Sequence, residues 1–383
     1  MSNGAGYIAK RKKILFITPE GGRTGSEMVL WYLLRNYDRN LFEAFLFSIK
    51  PGELLGQLPP DIVCQAGSKK KKNIKARIKK AVFKILGISP IAHQLKKINK
   101  SFAPDIWFVN TIAVPQEVYE LAAELRVRVV TYFHELSATY NLISANHFKL
   151  IIECSSTLIG CSRAVCDRLS TFAHPDVRLQ YGFIDPEVIV VDQSRVAALK
   201  KELAIEPGEF VWIISGTVTY LKGLDYIVEL FLLLKDEKFK IIWLGKTFDS
   251  GLEYYVGNYA NSFHPQKLIL KGKQVSDYYN YFSLADGFLM PSRVDSFPLV
   301  MLEAAHLRKP IVSFNSGGVV EFVRPGMGAV VNSWNVADLA EEMRKLMHGQ
   351  TMFDENTLEA SVLEYTAEAQ VAKFEKMLSQ ISG

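Results

Sequence analysis

Short apolar runs alternate with amphipathic stretches along most of the chain, and this alternation predicts its elements. In the first half, the apolar runs predict strands at KILFITP, EAFLFSI, PDIWFVN, RVVTYFHE and STLIGCS. Helical spacing occurs between them, as at Met28, Trp31, Leu34 and Tyr37, which fall roughly on one face. Strands that alternate with helices favour a parallel, doubly wound sheet.

The alternation restarts after residue 206, which predicts a second domain of the same kind. Its expected strands are EFVWIISG, FKIIWLG, KLILKG, GFLMPS, PIVSF and GAVVN, and a last helix is expected from about Thr357 to Leu378. We therefore expect an α/β protein of two Rossmann-like domains whose strand carboxyl ends face a cleft. The expected parts are a first domain at 1–185, a linker at 186–206, a second domain at 207–356 and a C-terminal helix at 357–383 that packs back towards the first domain.

Composition adds little to this prediction but excludes several classes of protein. The 383 residues are 49% hydrophobic and 22% charged, as in ordinary α/β proteins. No apolar run reaches the roughly 18 residues that a membrane span needs, and the apolar run near the N-terminus is too short for a signal peptide. Cys64, Cys154, Cys161 and Cys166 form no CxxC pair and no zinc spacing with His, so we expect reduced thiols in a cytoplasmic protein.

The basic residues are concentrated in one segment. Residues 69–100 carry twelve Lys or Arg and no Asp or Glu, whereas the rest of the chain has 33 basic and 40 acidic side chains. On a helix, residues 69–86 place a narrow apolar stripe, starting at Ile74, among lysines. This is typical of a helix on an anionic membrane surface, although the stripe could instead pack on the domain. Nucleic acid is not an expected partner, because aromatic residues do not interleave with the basic ones.

Two acidic residues stand eight apart in an apolar part of the second half. Asp295 follows the pair Pro291–Ser292, and Glu303 lies on the helix that comes next. Carboxylates are rarely found in such a segment without a partner, so a shared polar ligand is one interpretation. A turn or helix cap is the alternative for Asp295.

Two glycine-rich loops, GGRTGSE and SGGVVE, each follow a predicted strand and open a helix. Glycine lets backbone N–H groups approach an anion, and the helix dipole favours it there. The alternative is that each Gly-Gly pair only makes a tight turn. These loops are therefore candidate phosphate sites.

The second half contains the blocks GTVTYLKGLDYIVEL, WLGKT and LKGKQVSDYYNYFSLADGFLMPSRVDSFPLVMLEAAHLRKPIVSFNSGGVVEFV. Together they resemble the nucleotide-sugar domain of family 4 glycosyltransferases, which have the GT-B fold. The first half matches more loosely, through GSE at 25–27, FHE at 133–135, CSRAV at 161–165 and YGFID at 181–185. The resemblance implies a retaining transferase that moves a sugar from a nucleotide-sugar donor to a saccharide or lipid-linked acceptor, in cell-surface polysaccharide or glycolipid synthesis. The first domain would then hold the acceptor and the second the donor.

The resemblance also implies roles for single residues. Glu303 takes the place of the carboxylate that hydrogen-bonds the donor ribose, and Asp295 that of the acid that contacts the donor hexose, although most members have Glu there. Lys222 resembles the lysine that neutralises the pyrophosphate, and His134 a histidine that faces the donor sugar. Thr217 stands where many members have an arginine, so the site lacks one cation. A solvated surface lysine and a buried structural histidine are the alternatives for Lys222 and His134.

The resemblance places further residues around the substrates. They are Gly22, Gly25, Ser26, Gly216, Thr217, Gly272, Ser296, Phe297, Pro298, Leu299, Gly317 and Gly318. No Asp-x-Asp occurs, and we expect neither a metal nor another cofactor, because GT-B enzymes hold the diphosphate with protein cations.

Two other functions remain open from the sequence. One is a nucleotide-sugar epimerase or hydrolase of GT-B shape, and the other is a non-catalytic nucleotide-binding scaffold. As a transferase, the protein is expected in the cytoplasm, peripheral on the inner face of the membrane through residues 69–86.

Overall fold

The computed structural model describes residues 11–67, 89–263 and 267–381, and the chain divides into two compact units. The first unit contains Met1–Cys161, Val165–Gln180 and Gln370–Gly383, and the second contains Ser162–Ala164 and Tyr181–Ala369. The predicted membrane helix at 69–86 lies outside the described residues.

Parallel strands form the sheet of the first unit, in the order β3-β2-β1-β4-β5-β6-β7. They are β1 (Lys12–Glu20), β2 (Phe42–Lys50), β3 (Val63–Ala66), β4 (Ile106–Asn110), β5 (Val129–Phe133), β6 (Ser155–Gly160) and β7 (Val177–Leu179). Its helices are α1 (Gly25–Asn36), α2 (Pro90–Phe102), α3 (Glu117–Leu125), α4 (Ala145–Cys154) and, from Val165 onward, α5 (Arg163–Ser170).

The second unit repeats this architecture with the strand order β10-β9-β8-β11-β12-β13. Its strands are β8 (Phe210–Ser215), β9 (Phe239–Leu244), β10 (Leu268–Gly272), β11 (Gly287–Met290), β12 (Ile311–Phe314) and β13 (Gly328–Val331). Its helices are α6 (Gln193–Glu202), α7 (Tyr226–Leu233), α8 (Gly251–Phe263), α9 (Tyr278–Leu284), α10 (Leu299–His306), α11 (Val319–Phe322), α12 (Val336–Met347) and α13 (Glu355–Val362).

The end of the chain differs from the single helix expected from Thr357 to Leu378. It forms α13 and a separate α14 (Ala367–Gln380), with a 3-10 turn at Leu363–Tyr365 between them. At this break Thr366 has an extended backbone (ψ 160°), and the Tyr365 side chain is buried against the rings of Phe297 and Phe322. From Gln370 onward, α14 belongs to the first unit.

The predicted α/β fold of two parallel, doubly wound sheets is confirmed. In each sheet the strand order reverses once, between β1 and β4 in the first unit and between β8 and β11 in the second. Loops at the carboxyl ends of such strand pairs are where ligands bind in this architecture. Among the described residues, no helix combines the length and apolarity that crossing a bilayer requires.

Candidate active site

Lys222 and Asp295 form an ion pair at the strand-order reversal of the second sheet. Lys222 ends a 3-10 turn after β8, and Asp295 lies in the loop after β11, the neighbouring strand. The Lys222 Nζ atom donates to Oδ1 of Asp295. Their side chains are 26% and 11% exposed, so the cation remains accessible while the carboxylate is mostly covered. An ammonium has three donors, and Asp295 occupies one of them.

The backbone of Asp295 is fixed against the second glycine loop. Its N–H donates to the Ser316 carbonyl at 2.9 Å, and its own carbonyl accepts from the Gly318 N–H at 3.1 Å. A Cβ on Gly318 would lie 1.9 Å from the Ser296 carbonyl oxygen, so only glycine fits there. Oδ2 of Asp295 is buried without a hydrogen-bond partner among the described residues, which marks it as an atom that a ligand could satisfy.

Glu303 is buried on α10 and is held by two tyrosines. The Tyr278 hydroxyl donates to Oε2 at 2.9 Å, and the Tyr279 hydroxyl donates to Oε1 at 3.2 Å. The Ser215 Oγ atom lies 2.7 Å from the Tyr278 hydroxyl oxygen. Since that phenol gives its proton to Glu303, Ser215 is the donor. This chain of hydrogen bonds ties Glu303 to the carboxyl end of β8, where the Lys222 loop begins.

The loops around Lys222 depend on glycines with positive φ. Gly216 has φ +140°, and a Cβ on the adjacent Gly245 would lie 1.8 Å from the Gly216 carbonyl oxygen. Thr217, which follows Gly216 in this loop, has an exposed side chain. Gly272 has φ +67° at the end of β10 and accepts from the Gly245 N–H at 2.9 Å. Glycine here permits the turns that bring these loops together.

The segment after Asp295 contributes more packing than polar contact. Phe297 is buried, with its ring centroid 5.0 Å from that of Tyr181 and 5.4 Å from that of Tyr365. Leu299 is also buried, and Pro298 occupies the N-cap position of α10. Of the predicted binding residues here, Phe297 and Leu299 therefore support the start of α10 from the inside.

The remaining predicted site residues lie in the first unit, where the first glycine loop leads into α1. Gly25 begins this helix, and Ser26 donates from Oγ to Oε2 of Glu27 at 2.8 Å. Thr18 donates to the other oxygen of Glu27 at 3.4 Å. A Cβ on Gly22 would approach the Glu20 carboxylate to 3.0 Å. Glu27 itself is buried, and burial raises its pKa to about 7.

His134 follows β5 and contacts Asn110 at the end of β4. Its Nε2 lies 3.1 Å from Oδ1 of Asn110, an acceptor, so this nitrogen carries the proton. Burial lowers the pKa of His134 to about 3, which keeps the imidazole neutral. Beside it, Thr111 donates to Glu135, whose pKa burial raises to about 8. The neutral His134 therefore donates to Asn110 and lies next to the half-buried carboxyl of Glu135.

Several polar residues at these strand ends were not predicted from the sequence. Tyr278 and Tyr279 on Glu303 carry no spacing signal, and Glu27 and Glu135 were noted only as parts of matching blocks. Arg293 stands two positions before Asp295, but its place in the sequence does not show which residues it contacts. Among the described residues, no group of three or more His, Cys, Asp or Glu is arranged to hold a metal ion.

Comparison with known proteins gives a family match in the second half of the chain. The model of the family "Glycosyl transferases group 1" matches residues 196–361. The chain is 24% identical over 262 residues to the N-acetyl-alpha-D-glucosaminyl L-malate synthase of Bacillus anthracis, covering 65% of this chain and 67% of that protein. It is 31% identical over 128 residues to the alpha-galactosylglucosyldiacylglycerol synthase of Streptococcus pneumoniae, covering 31% of this chain and 32% of that one.

Solved structures share the fold across nearly the whole chain. Alr3699/HepE of Anabaena in complex with UDP has a TM-score of 0.77 at 16% identity, covering 96% of this chain and 100% of that one. The same protein in complex with UDP-glucose also has a TM-score of 0.77. The chain therefore has the two-domain fold of GT-B glycosyltransferases, and residues 196–361 match the group 1 transferase domain, which indicates a transferase.

Proposed function

We propose that the protein is a retaining, family 4-like glycosyltransferase that moves a sugar from a nucleotide-sugar donor to a saccharide or lipid-linked acceptor. The observation that carries the proposal is the arrangement of Lys222, Asp295 and Glu303 around the ends of β8 and β11. A cation, a carboxylate with an unsatisfied oxygen and a rigidly held buried carboxylate are the groups that a sugar diphosphate requires.

The chemistry assigns one task to each group. The bond between the sugar C1 and the diphosphate oxygen breaks, and the diphosphate leaves with the electron pair. Lys222 stabilises the negative charge that develops on this leaving group, which lowers the barrier. The acceptor oxygen attacks C1 on the same face and passes its proton to the departing phosphate.

The two carboxylates orient the donor. Oδ2 of Asp295 accepts from a hexose hydroxyl, and Glu303 accepts from the ribose hydroxyls. Each carboxylate oxygen accepts more than one hydrogen bond, so the tyrosines on Glu303 do not by themselves exhaust it. The complex of the structural relative from Anabaena with UDP-glucose supports a nucleotide sugar as the donor.

The first unit supplies the acceptor side in this proposal. His134, neutral and hydrogen-bonded to Asn110 through Nε2, faces the donor sugar, and the network around Glu27 and Glu135 borders the acceptor. The lysine-rich segment at 69–86 binds an anionic membrane surface on the cytoplasmic side, where a lipid-linked acceptor is presented. The product is a cell-surface polysaccharide or glycolipid.

The decisive experiment is a thermal-shift screen with UDP, GDP and their sugars, followed by product analysis with a membrane extract. A ligand that binds only the native state raises the melting temperature, by mass action. We expect one nucleotide series to stabilise the protein and the labelled sugar to appear in an acceptor with the donor's anomeric configuration. Release of free sugar would favour a hydrolase and an altered nucleotide sugar an epimerase, whereas no shift with any nucleotide would remove the basis for a transferase.

A further inference from the structure

The guanidinium of Arg293 is enclosed on both faces and along its edge. Its central carbon lies 3.7 Å from the centroid of the Tyr220 ring and 3.9 Å from that of Tyr226. Nη1 and Nη2 donate to the two oxygens of Asp225 at 2.8 and 2.7 Å, and Nη1 also donates to the Tyr220 carbonyl at 2.6 Å. The guanidinium therefore lies between two aromatic rings and makes a bidentate contact with one carboxylate. This rigid arrangement depends on the planar shape of the arginine side chain.

These contacts indicate that Arg293 joins two loops and does not bind a ligand. With both faces covered and the Nη atoms committed to Asp225 and the Tyr220 carbonyl, the guanidinium has little left to offer a phosphate. Its partners Tyr220 and Asp225 flank Lys222 in the loop after β8, whereas Arg293 itself belongs to the loop after β11 that carries Asp295.

Backbone contacts strengthen the same junction on both sides of Lys222. The Arg293 N–H donates to the Leu221 carbonyl at 2.9 Å. Gly223 has φ +81°, and a Cβ there would lie 2.2 Å from the Pro291 carbonyl oxygen. The residues immediately before and after Lys222 are therefore both pressed onto the segment 291–293.

We propose that Arg293 is a positioning residue that holds Lys222 beside Asp295, in place to receive the diphosphate of the donor. The inference rests on the proposed function, because it assigns to Lys222 the role of the diphosphate cation. A cation stabilises a developing charge best when it needs no rearrangement at the moment of reaction, and a lysine side chain on a free loop would have to be ordered first.

The first test is Arg293→Lys, which keeps the charge but cannot contact both oxygens of Asp225 or fill the space between two rings. We expect UDP or GDP, titrated by calorimetry, to bind about tenfold more weakly, and turnover to fall about 10- to 100-fold through misplacement of Lys222. Arg344→Lys is the matched control. Like Arg293, Arg344 forms side-chain bonds to carboxylate and backbone carbonyl oxygens of the second unit, here of Glu237, Glu341 and Leu233.

A double-mutant cycle separates positioning from general stability. If Arg293 acts through Lys222, Arg293→Lys will cost little further affinity or turnover in a Lys222→Ala background, so the two losses will not add. Fully additive losses would overturn the proposal. Melting temperatures of all variants show whether each remains folded, and comparison at a temperature well below the lowest of them keeps the cycle interpretable.

The cycle also distinguishes failure of this inference from failure of the proposed function. If Lys222→Ala binds and turns over like the native protein, the assigned role of Lys222 is wrong and the positioning role fails with it. If Lys222→Ala is impaired but Arg293→Lys behaves like Arg344→Lys, the proposed function stands and only the positioning role is overturned.

Discussion

The Asp295 side chain is one carbon shorter than that of glutamate, and its two carboxylate oxygens have different surroundings. Its short side chain leaves Oδ1 on Lys222 and Oδ2 buried without a partner among the described residues. An unsatisfied buried polar atom costs about 1–3 kcal/mol, and a donor hydroxyl would recover part of that cost on binding.

At the residue scale, Glu303→Gln tests the buried carboxylate with almost no change of shape. The amide keeps an acceptor but loses the negative charge that strengthens its hydrogen bonds. Bonds to charged groups contribute about 1.5–3 kcal/mol, so we expect the affinity for the stabilising nucleotide sugar to fall about 10- to 100-fold in calorimetric titrations.

Glu209→Gln is the control for this change. Glu209 is a mostly buried carboxylate of the second unit, 3.3 Å from the Lys240 ammonium, and it precedes β8 rather than following it. The control should lose stability but keep its affinity for the nucleotide sugar. Equal affinity of folded Glu303→Gln and native protein would place Glu303 outside the donor site.

Two acids of the first unit, the buried Glu27 and the half-buried Glu135, predict an unusual dependence of stability on pH. Burial raises the pKa of Glu27 from 4.5 to about 7 and that of Glu135 from 4.5 to about 8, so the native state binds more protons than the unfolded state across this range. The free energy of unfolding should therefore fall as the pH rises. His134, with its pKa lowered from 6.5 to about 3, acts in the opposite direction only below about pH 6.5.

In the native protein we expect the free energy of unfolding to fall by about 2 kcal/mol between pH 6.5 and 8. Glu135→Gln should make this fall smaller. Denaturant unfolding at several pH values measures it. Glu124→Gln, an exposed carboxylate of the same unit paired with Lys96, should leave the native slope unchanged. A slope in Glu135→Gln equal to that of the native protein would contradict the linkage.

The partners of the site residues could not be predicted, although the resemblance named Lys222, Asp295 and Glu303. Tyr278 reaches Glu303 across 25 positions of the chain, and no periodicity connects them. The contact between Arg293 and Asp225 was equally unpredictable, since Asp225 lies 68 positions earlier. Such pairs depend on how two loops meet at neighbouring strands, which hydrophobic patterning does not encode.

At the scale of elements, the buried central strands could be predicted from the sequence, whereas the short strands at the edges of the first sheet could not. The core strands β4, β5 and β9 are buried along their whole length, and their apolar runs stand out. The edge strands β3 and β7 were missed, because they have four and three residues that are all partly exposed. The break before α14 was missed for a different reason: the aromatic contacts of Tyr365 override a continuous helical pattern.

Phe374→Ala tests how α14 completes the first unit. Phe374 is buried, with its ring centroid 5.3 Å from that of Phe108 on β4, and removal of such a side chain costs about 3–5 kcal/mol. We expect the unfolding transition of the first unit to move to markedly lower denaturant. Lys373→Ala, an exposed neighbour on the same helix, should leave it in place. An unshifted transition in Phe374→Ala would mean that α14 does not support this core.

At the scale of the whole molecule, the proposed role of Lys222 as the diphosphate cation predicts that chelators do not change the transfer activity. EDTA should leave the transfer rate largely unchanged, because the ammonium supplies the charge that a metal supplies in other transferases. Loss of activity that added Mn2+ restores would contradict a metal-free site. Dialysis without chelator is the control for losses caused by handling.

The basic segment predicts binding to anionic lipid. Neutralising Lys70, Lys71, Lys79 and Lys80 together should reduce the fraction of protein that sediments with phosphatidylserine-containing vesicles, because each lysine near such a surface contributes about 1 kcal/mol.

A matched set of exposed lysines in the second unit controls for net charge. Neutralising Lys200, Lys201, Lys235 and Lys238 removes the same charge from elsewhere on the chain and should preserve sedimentation. If both quadruple variants bind vesicles as the native protein does, segment 69–86 is not the membrane contact.

The return of α14 to the first unit has a consequence for synthesis on the ribosome. Translation finishes Tyr181–Ala369 before it reaches the helix that covers Phe108. The nascent chain therefore carries a complete transferase domain while the earlier unit still exposes apolar surface, a state that invites chaperones. A chain that stopped before Gln370 would contain Tyr181–Ala369 but leave the Phe108 side of the first unit uncovered, and proteases would recognise that exposed apolar surface.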